Sequence, residues 1–141
     1  MKKKNSICNP PFEVLAYRVS VEKLLGKPDS VPEAIVKIKI GDEVRHIVAE
    51  GDGPVNALDN AMRRALLSFY PQLKEVRLVD YWVRIVNGGE GTAASVEVLI
   101  VSSDGKDTWI TKGYSTNIIQ ASLEALENSL KQAILKKVSV S

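Results

Sequence analysis

Histidine and cysteine, the side chains that most often hold a metal or act as base and nucleophile near neutral pH, occur once each, as His46 and Cys8. A metal centre built on imidazole and thiolate needs several such ligands, so the count alone argues against one. No HExxH, CxxC or GxSxG pattern is present, and no nucleophile–base pair is legible. His46 alternates with Val44 and Val48 on one strand face and is expected as a half-buried structural residue. Cys8 is expected as a tail thiol without a role; alone, it can form no internal disulfide, and a reducing, cytoplasmic setting is the default. The carboxylates are scattered over expected solvated faces. Asp80 is the exception. It sits in an apolar strand between Val79 and Tyr81, and is expected either to pair with Arg77 or Arg84 or to orient a ligand.

One stretch retains a chemical use. Glu50 to Ala61 stops a strand with Gly51 and Gly53 and starts a helix at once. Both glycines can adopt positive φ; Asp52 or Gly53 can stand at the N-cap, and Pro54 suits the first helical turn, where its missing N–H costs nothing. Lys112 to Ala121 repeats the transition, with Ser115 or Thr116 as the cap. Neither turn is GxxxxGK[ST] or GxGxxG, which argues against a nucleotide. A helix N-terminus beside glycines still suits a small carboxylate, although the same spacing also describes a tight turn with no ligand.

These turns are held by two similar runs of elements. Phe12 to Val21, Ala34 to Ile40 and Val44 to Ala49 read as strands, with Gly41-Asp42 as a hairpin turn. Val55, Leu58, Met62, Ala65, Leu66 and Phe69 form one helical stripe; Asp59, Asn60, Arg63, Arg64 and Ser68 cover the other side, and Pro71 closes the helix. Glu75 to Val86, Ala93 to Ser102 and Thr108 to Lys112 repeat the strands, joined by the glycine-rich turn Asn87 to Gly91 and by a hairpin at Asp104-Gly105. A helix with Ile119, Leu123, Leu126 and Leu130 on its stripe follows, with an i,i+4 pair Glu127–Lys131 and frayed residues after Lys136. The expected fold is α+β: two pseudo-twofold-related βββα units, each an antiparallel three-stranded sheet with one helix, at an offset near sixty residues. Residues 1–11 are expected as a linker or disordered segment, 12–71 as unit one and 72–137 as unit two of a domain running to 141. Two helices leave sheet surface uncovered, which a homodimer would cover. A hydrophobic fraction of 45% supports a real core, and a net charge of +2 argues for neither nucleic acid nor a membrane as partner.

Four stretches in order then carry a resemblance. Ala49-Glu50-Gly51-Asp52-Gly53-Pro54-Val55-Asn56-Ala57-Leu58, Val76-Arg77-Leu78-Val79-Asp80-Tyr81, Gly91-Thr92-Ala93-Ala94, and Gly113-Tyr114-Ser115-Thr116-Asn117-Ile118-Ile119-Gln120-Ala121-Ser122 resemble the C-terminal regulatory domain of the α-isopropylmalate synthase and citramalate synthase family, nearer its citramalate branch. Phe12 to Val19 fits that domain's first strand. The resemblance implies a dimeric pair of βββα units that binds an end-product amino acid, isoleucine in first place and leucine in second, and inhibits a separate catalytic barrel. It implies no cofactor and no catalysis by this chain alone. Carried over by motif, the effector site would comprise Asp52, Gly53, Val55 and Asn56 at the first helix entry, Leu78, Tyr81 and Ile85 on the following strand, and Tyr114 and Thr116 at the second helix entry. Simple alternation sets Leu78 on the face opposite Tyr81 and Ile85, so a shared pocket requires a bulge or a twofold-related copy. The alternative from another class is an assembly domain that binds no effector, in which these are packing residues.

Overall fold

The computed structural model describes residues 10–86 and 94–140, so Cys8, most of the leading segment and the turn at Asn87 to Gly91 lie outside the described residues. Strands β1 (Glu13–Ser20), β2 (Glu33–Ile40) and β3 (Glu43–Glu50) form an antiparallel sheet in that order, followed by helix α1 (Pro54–Leu66). A 3₁₀ turn, Pro71–Glu75, leads into β4 (Arg77–Ile85), β5 (Val96–Ser103) and β6 (Thr108–Ser115), a second antiparallel sheet in sequence order, followed by α2 (Ile118–Val140). The α+β expectation of two three-stranded sheets, each followed by a helix, is therefore met. The expected strand start at Glu75 is displaced by the 3₁₀ turn that Pro71 opens, and β6 runs on through Gly113.

Alternation places each sheet's apolar side against its helix. Ala34, Val36, Ile38 and Ile40 are buried on β2 while Lys37 and Lys39 are exposed. Leu58, Met62 and Leu66 on α1 are fully buried, each such large side chain contributing about 1.5–3 kcal/mol. Helix α1 lies across β2 and β3, α2 lies across β5 and β6, and the helices touch each other, so Phe12, Leu58, Ile100, Leu126 and Leu130 belong to one core. His46 is exposed rather than half-buried, together with Val44 and Val48. The helix covers only the other face of β3, where Ala49 is buried.

The repeat is shifted from the expected offset. Corresponding elements start 63 to 65 residues apart (Glu13 and Arg77, Glu33 and Val96, Glu43 and Thr108, Pro54 and Ile118). Both first strands carry a bulge at the same place, at Leu15 between Val14 and Ala16, and at Val79 between Leu78 and Asp80. A strand pattern has period two, so a slip of four residues keeps every face and is invisible to alternation.

Gly51 and Gly53 do not use positive φ; Gly26, Gly41 and Gly105 do, the last two in the hairpin turns. Gly51 is required by proximity. A Cβ there would lie 2.4 Å from the Ala57 nitrogen, and one on Gly113 would lie 2.0 Å from the Ala121 oxygen. Both glycines thus let a strand end meet the backbone of the following helix. Gly113→Ala is expected to lower stability by at least about 1–3 kcal/mol, because helix backbone cannot yield as a side chain can. Gly53→Ser, where an added Cβ meets nothing within 4 Å, is expected to change it by only a few tenths of a kcal/mol. Urea denaturation midpoints check both.

Candidate functional site

The first helix entry is built from backbone and asparagine. Gly53 is the N-cap with an extended backbone (φ −154°, ψ 174°), offers no side-chain cap, and its carbonyl accepts the Ala57 N–H at 2.9 Å. Asn56 Oδ1 accepts the Asp52 N–H at 2.9 Å, and Asn60 Nδ2 donates to the Glu50 carbonyl at 3.0 Å. The turn is thereby fixed from inside the helix. The Asp52 side chain is exposed beside it, and Val55 is half-buried against the core.

The second entry is capped by Asn117, not by Ser115 or Thr116. Asn117 Oδ1 accepts the N–H of Ile119 at 2.9 Å and of Gln120 at 3.3 Å, while Ser115 Oγ accepts the Asn117 N–H. Asparagine is as good an N-cap as serine, and the one-residue difference follows from β6 ending at Ser115. Thr116 is exposed in the intervening turn.

Between them stands β4, at the edge of its sheet. The Val79 bulge pairs Leu78 with Ser102 and Tyr81 with Ile100, two residues that both face the helix side. Leu78 and Tyr81 therefore share a face, and Ile85, opposite Val96, is on it as well. Ser122 Oγ donates to the Ile118 carbonyl at 2.8 Å, so the Tyr81 hydroxyl, 2.8 Å away, is the donor to Ser122. Because α2 covers β5 and β6, the end of β4 is open on this side: Val83 is 39% exposed, Ile85 62%, and Ile118 at the head of α2 44%.

Tyr114 faces the other way. It lies across from Glu97 on the face of the second sheet that no helix covers, and Glu97 in turn lies across from Arg84. The Glu97 side chain is only 2% exposed, with Arg84 Nε at 2.5 Å and Lys112 Nζ at 3.8 Å. The Tyr114 hydroxyl and the Arg84 guanidinium hold its carboxyl below the usual range, and the same contact pushes the Tyr114 phenol up. Trp82 and Ile110, each 57% exposed, flank this network. Asp80 does not pair with Arg77 or Arg84: its carboxylate accepts the Tyr81 N–H at 2.9 Å, and Arg84 is engaged by Glu97.

Of the nine expected site residues, the structure thus groups Leu78, Tyr81 and Ile85 on one open face, sets Gly53, Val55 and Asn56 in the first helix entry with Asp52 exposed beside them, and puts Thr116 at the second entry and Tyr114 on the opposite face. Two features escaped the sequence reading. Tyr17 follows the β1 bulge as Tyr81 follows the β4 bulge, and its hydroxyl donates to Gln120 Oε1 on α2 at 2.8 Å. Asp59, placed by the helical pattern on the solvent side, is buried against Arg63, and its i,i+4 spacing to that arginine was the available signal.

The fold and the glycine-mediated helix entries define a duplicated βββα module. The chain belongs to the LeuA allosteric (dimerisation) domain family, whose model matches residues 1–134. It is 46% identical over 129 residues to an (R)-citramalate synthase of Geobacter sulfurreducens, covering 92% of this chain and 24% of that protein. It is likewise 46% identical over 127 residues to an (R)-citramalate synthase of Aquifex aeolicus (89% and 24%), and 43% identical over 127 residues to one of Streptomyces coelicolor (89% and 23%). The chain spans about a quarter of the length of these relatives. No helix among the described residues is long and apolar enough to cross a membrane.

A depressed carboxyl contributes stability that is present above its ordinary pKa and lost as pH falls through the folded value. Glu97→Gln is accordingly expected to flatten the loss of stability on acidification below about pH 4.5, with thermal melts at stepped pH as the check.

Proposed function

We propose that this chain senses a branched-chain amino acid, isoleucine in first place and leucine in second, and transmits its binding to the catalytic barrel of a citramalate synthase as feedback inhibition. The observation that carries the reading is the Val79 bulge, which turns Leu78 and Tyr81 to one side of a strand whose end is left open beside Ile85 and Ile118. An open apolar strand face bounded by a tyrosine suits a short aliphatic side chain. The first helix entry, where Gly53 brings no side-chain cap, offers the Val55 and Asn56 N–H groups for the carboxylate, and the exposed Asp52 offers a negative charge for the ammonium. Val83, Ile85 and Ile118 leave apolar surface exposed beside this face, and a second copy of the chain is the cover that the family's dimerisation role supports.

Signalling then requires that the amino acid bind one arrangement of the dimer better than the other. The relatives are named for citramalate synthesis, and three quarters of their length lies outside the match; on this reading the catalytic barrel belongs to that remainder.

The Trp82, Ile110 and Tyr114 face favours a second reading, assembly without an effector, because exposed aromatic residues are enriched at interface centres. Melting curves with isoleucine, leucine and valine separate the two. Sensing predicts stabilisation of about 2.7 kcal/mol at ~100 times the dissociation constant. Tyr81→Ala is expected to abolish that stabilisation while the dimer persists in sedimentation. An unchanged melt with all three amino acids at millimolar concentration would leave assembly as the function.

A further inference from the structure

Helix α1 and strand β4 carry different parts of the proposed effector site, and a part-buried ion pair on α1 ties that helix to the residues that lead into β4. Arg63 Nε donates to Asp59 Oδ1 at 2.9 Å, one helical turn earlier on α1. Its Nη1 donates to the Val76 carbonyl at 2.7 Å and the Leu73 carbonyl at 3.3 Å. Leu73 and Val76 are themselves buried, and Val76 directly precedes β4. Side-chain exposure is 22% for Arg63 and 12% for Asp59. The guanidinium fork thus spans from its own helix to the last residue of the connection between the two units, two positions before Leu78. A planar, always-charged fork can hold a carboxylate and backbone carbonyls at once; an ammonium on a flexible stem cannot reproduce that geometry.

Among the described residues, the second unit has no such pair at the corresponding positions. At the repeat spacing that relates Tyr17 to Tyr81, Leu123 stands for Asp59 and Glu127 for Arg63, and Glu127 pairs with Lys131 within α2. The clamp therefore occurs where the chain passes from unit one to unit two. Desolvation pushes the Asp59 carboxyl up against the downward pull of Arg63, as expected for a charge kept inside by its partner.

We infer that Arg63 is a positioning residue: together with Asp59 it fixes the entry of β4 on α1, and so sets Leu78 and Tyr81 in register with the Asp52 to Asn56 helix entry and couples amino-acid binding at one to the geometry of the other. This rests on the effector reading given above. Asp59 and Arg63 are not among the proposed effector residues; the effect of the clamp runs through the placement of β4.

The test uses the whole chain and two variants. Arg63→Lys keeps the charge and loses the fork. Asp59→Leu with Arg63→Met removes both charges together, so that neither is left buried alone, and places at 59 the residue type that the second unit has there. Hydrogen exchange on the free protein is expected to quicken about tenfold or more at residues 77–81 in both variants, while β5, β6 and α2 keep wild-type protection. Calorimetry with whichever of isoleucine, leucine or valine binds the wild type is expected to show at least about a fivefold rise in dissociation constant. Unchanged exchange at 77–81, a uniform loss of protection across the chain, or an affinity within about twofold of wild type would each overturn the inference. A wild type that binds none of the three amino acids would instead overturn the effector reading and the coupling with it, and the exchange data would distinguish that case.

Discussion

A three-stranded sheet is wider than one helix. Here α1 rests on β2 and β3, and α2 rests on β5 and β6, so the first strand of each unit is the least covered by its own helix. Much of the molecule follows from this shortfall. Strand β1 gains cover from the other unit: Phe12 lies under Lys131 of α2, and Tyr17 reaches Gln120 near the head of the same helix. Strand β4 keeps the Tyr81 contact with Ser122, but beyond it Val83 and Ile85 are left in the open. Duplication thus produces two similar strands with different degrees of cover, and the barer one carries the residues proposed to meet the effector.

Polar groups in the structure are used mainly to tie elements together. Asn56 and Asn60 fix the first helix entry, Asn117 fixes the second, and Thr111 Oγ1 donates to the Ala125 carbonyl where β6 passes under α2. At the far end of the second unit, Asp104 accepts the N–H groups of Lys106 and Asp107 and pairs with Lys136, which lies over the Trp109 ring. These contacts make the turns rigid frames. A binding surface built on such frames loses little entropy on occupation, whereas one on a mobile loop must first be ordered.

The architecture was legible because its signals are long and periodic: the alternation of Ala34 to Ile40, the stripe from Leu58 to Leu66, and the Gly41 and Asp104-Gly105 hairpins. What was not legible has physical reasons. The period-two pattern is blind to even slips, which hid the true spacing of the two halves. A glycine needed for positive φ and a glycine needed for closeness look the same, so Gly51 was assigned the wrong constraint. Helical periodicity marks Asp59 as polar and therefore outward, but an arginine one turn on can bring it inside. Of the site, the Leu78, Tyr81 and Ile85 face depended on a bulge that alternation cannot show, and Tyr114 follows its strand to the opposite side.

The bulge at Val79 has an effect beyond placing Leu78. A sheet edge is an open row of backbone donors and acceptors, and a regular, apolar edge invites another chain to add a strand. Strand β4 is apolar and long enough to be such a template. An extra residue breaks its hydrogen-bond register and sharpens its twist, and the bulge at Leu15 does the same for β1. The irregularity that gathers Leu78 and Tyr81 on one side therefore also makes the same strand a poor partner for unwanted strands, so the side chains this strand presents and the strands its backbone refuses have a common origin.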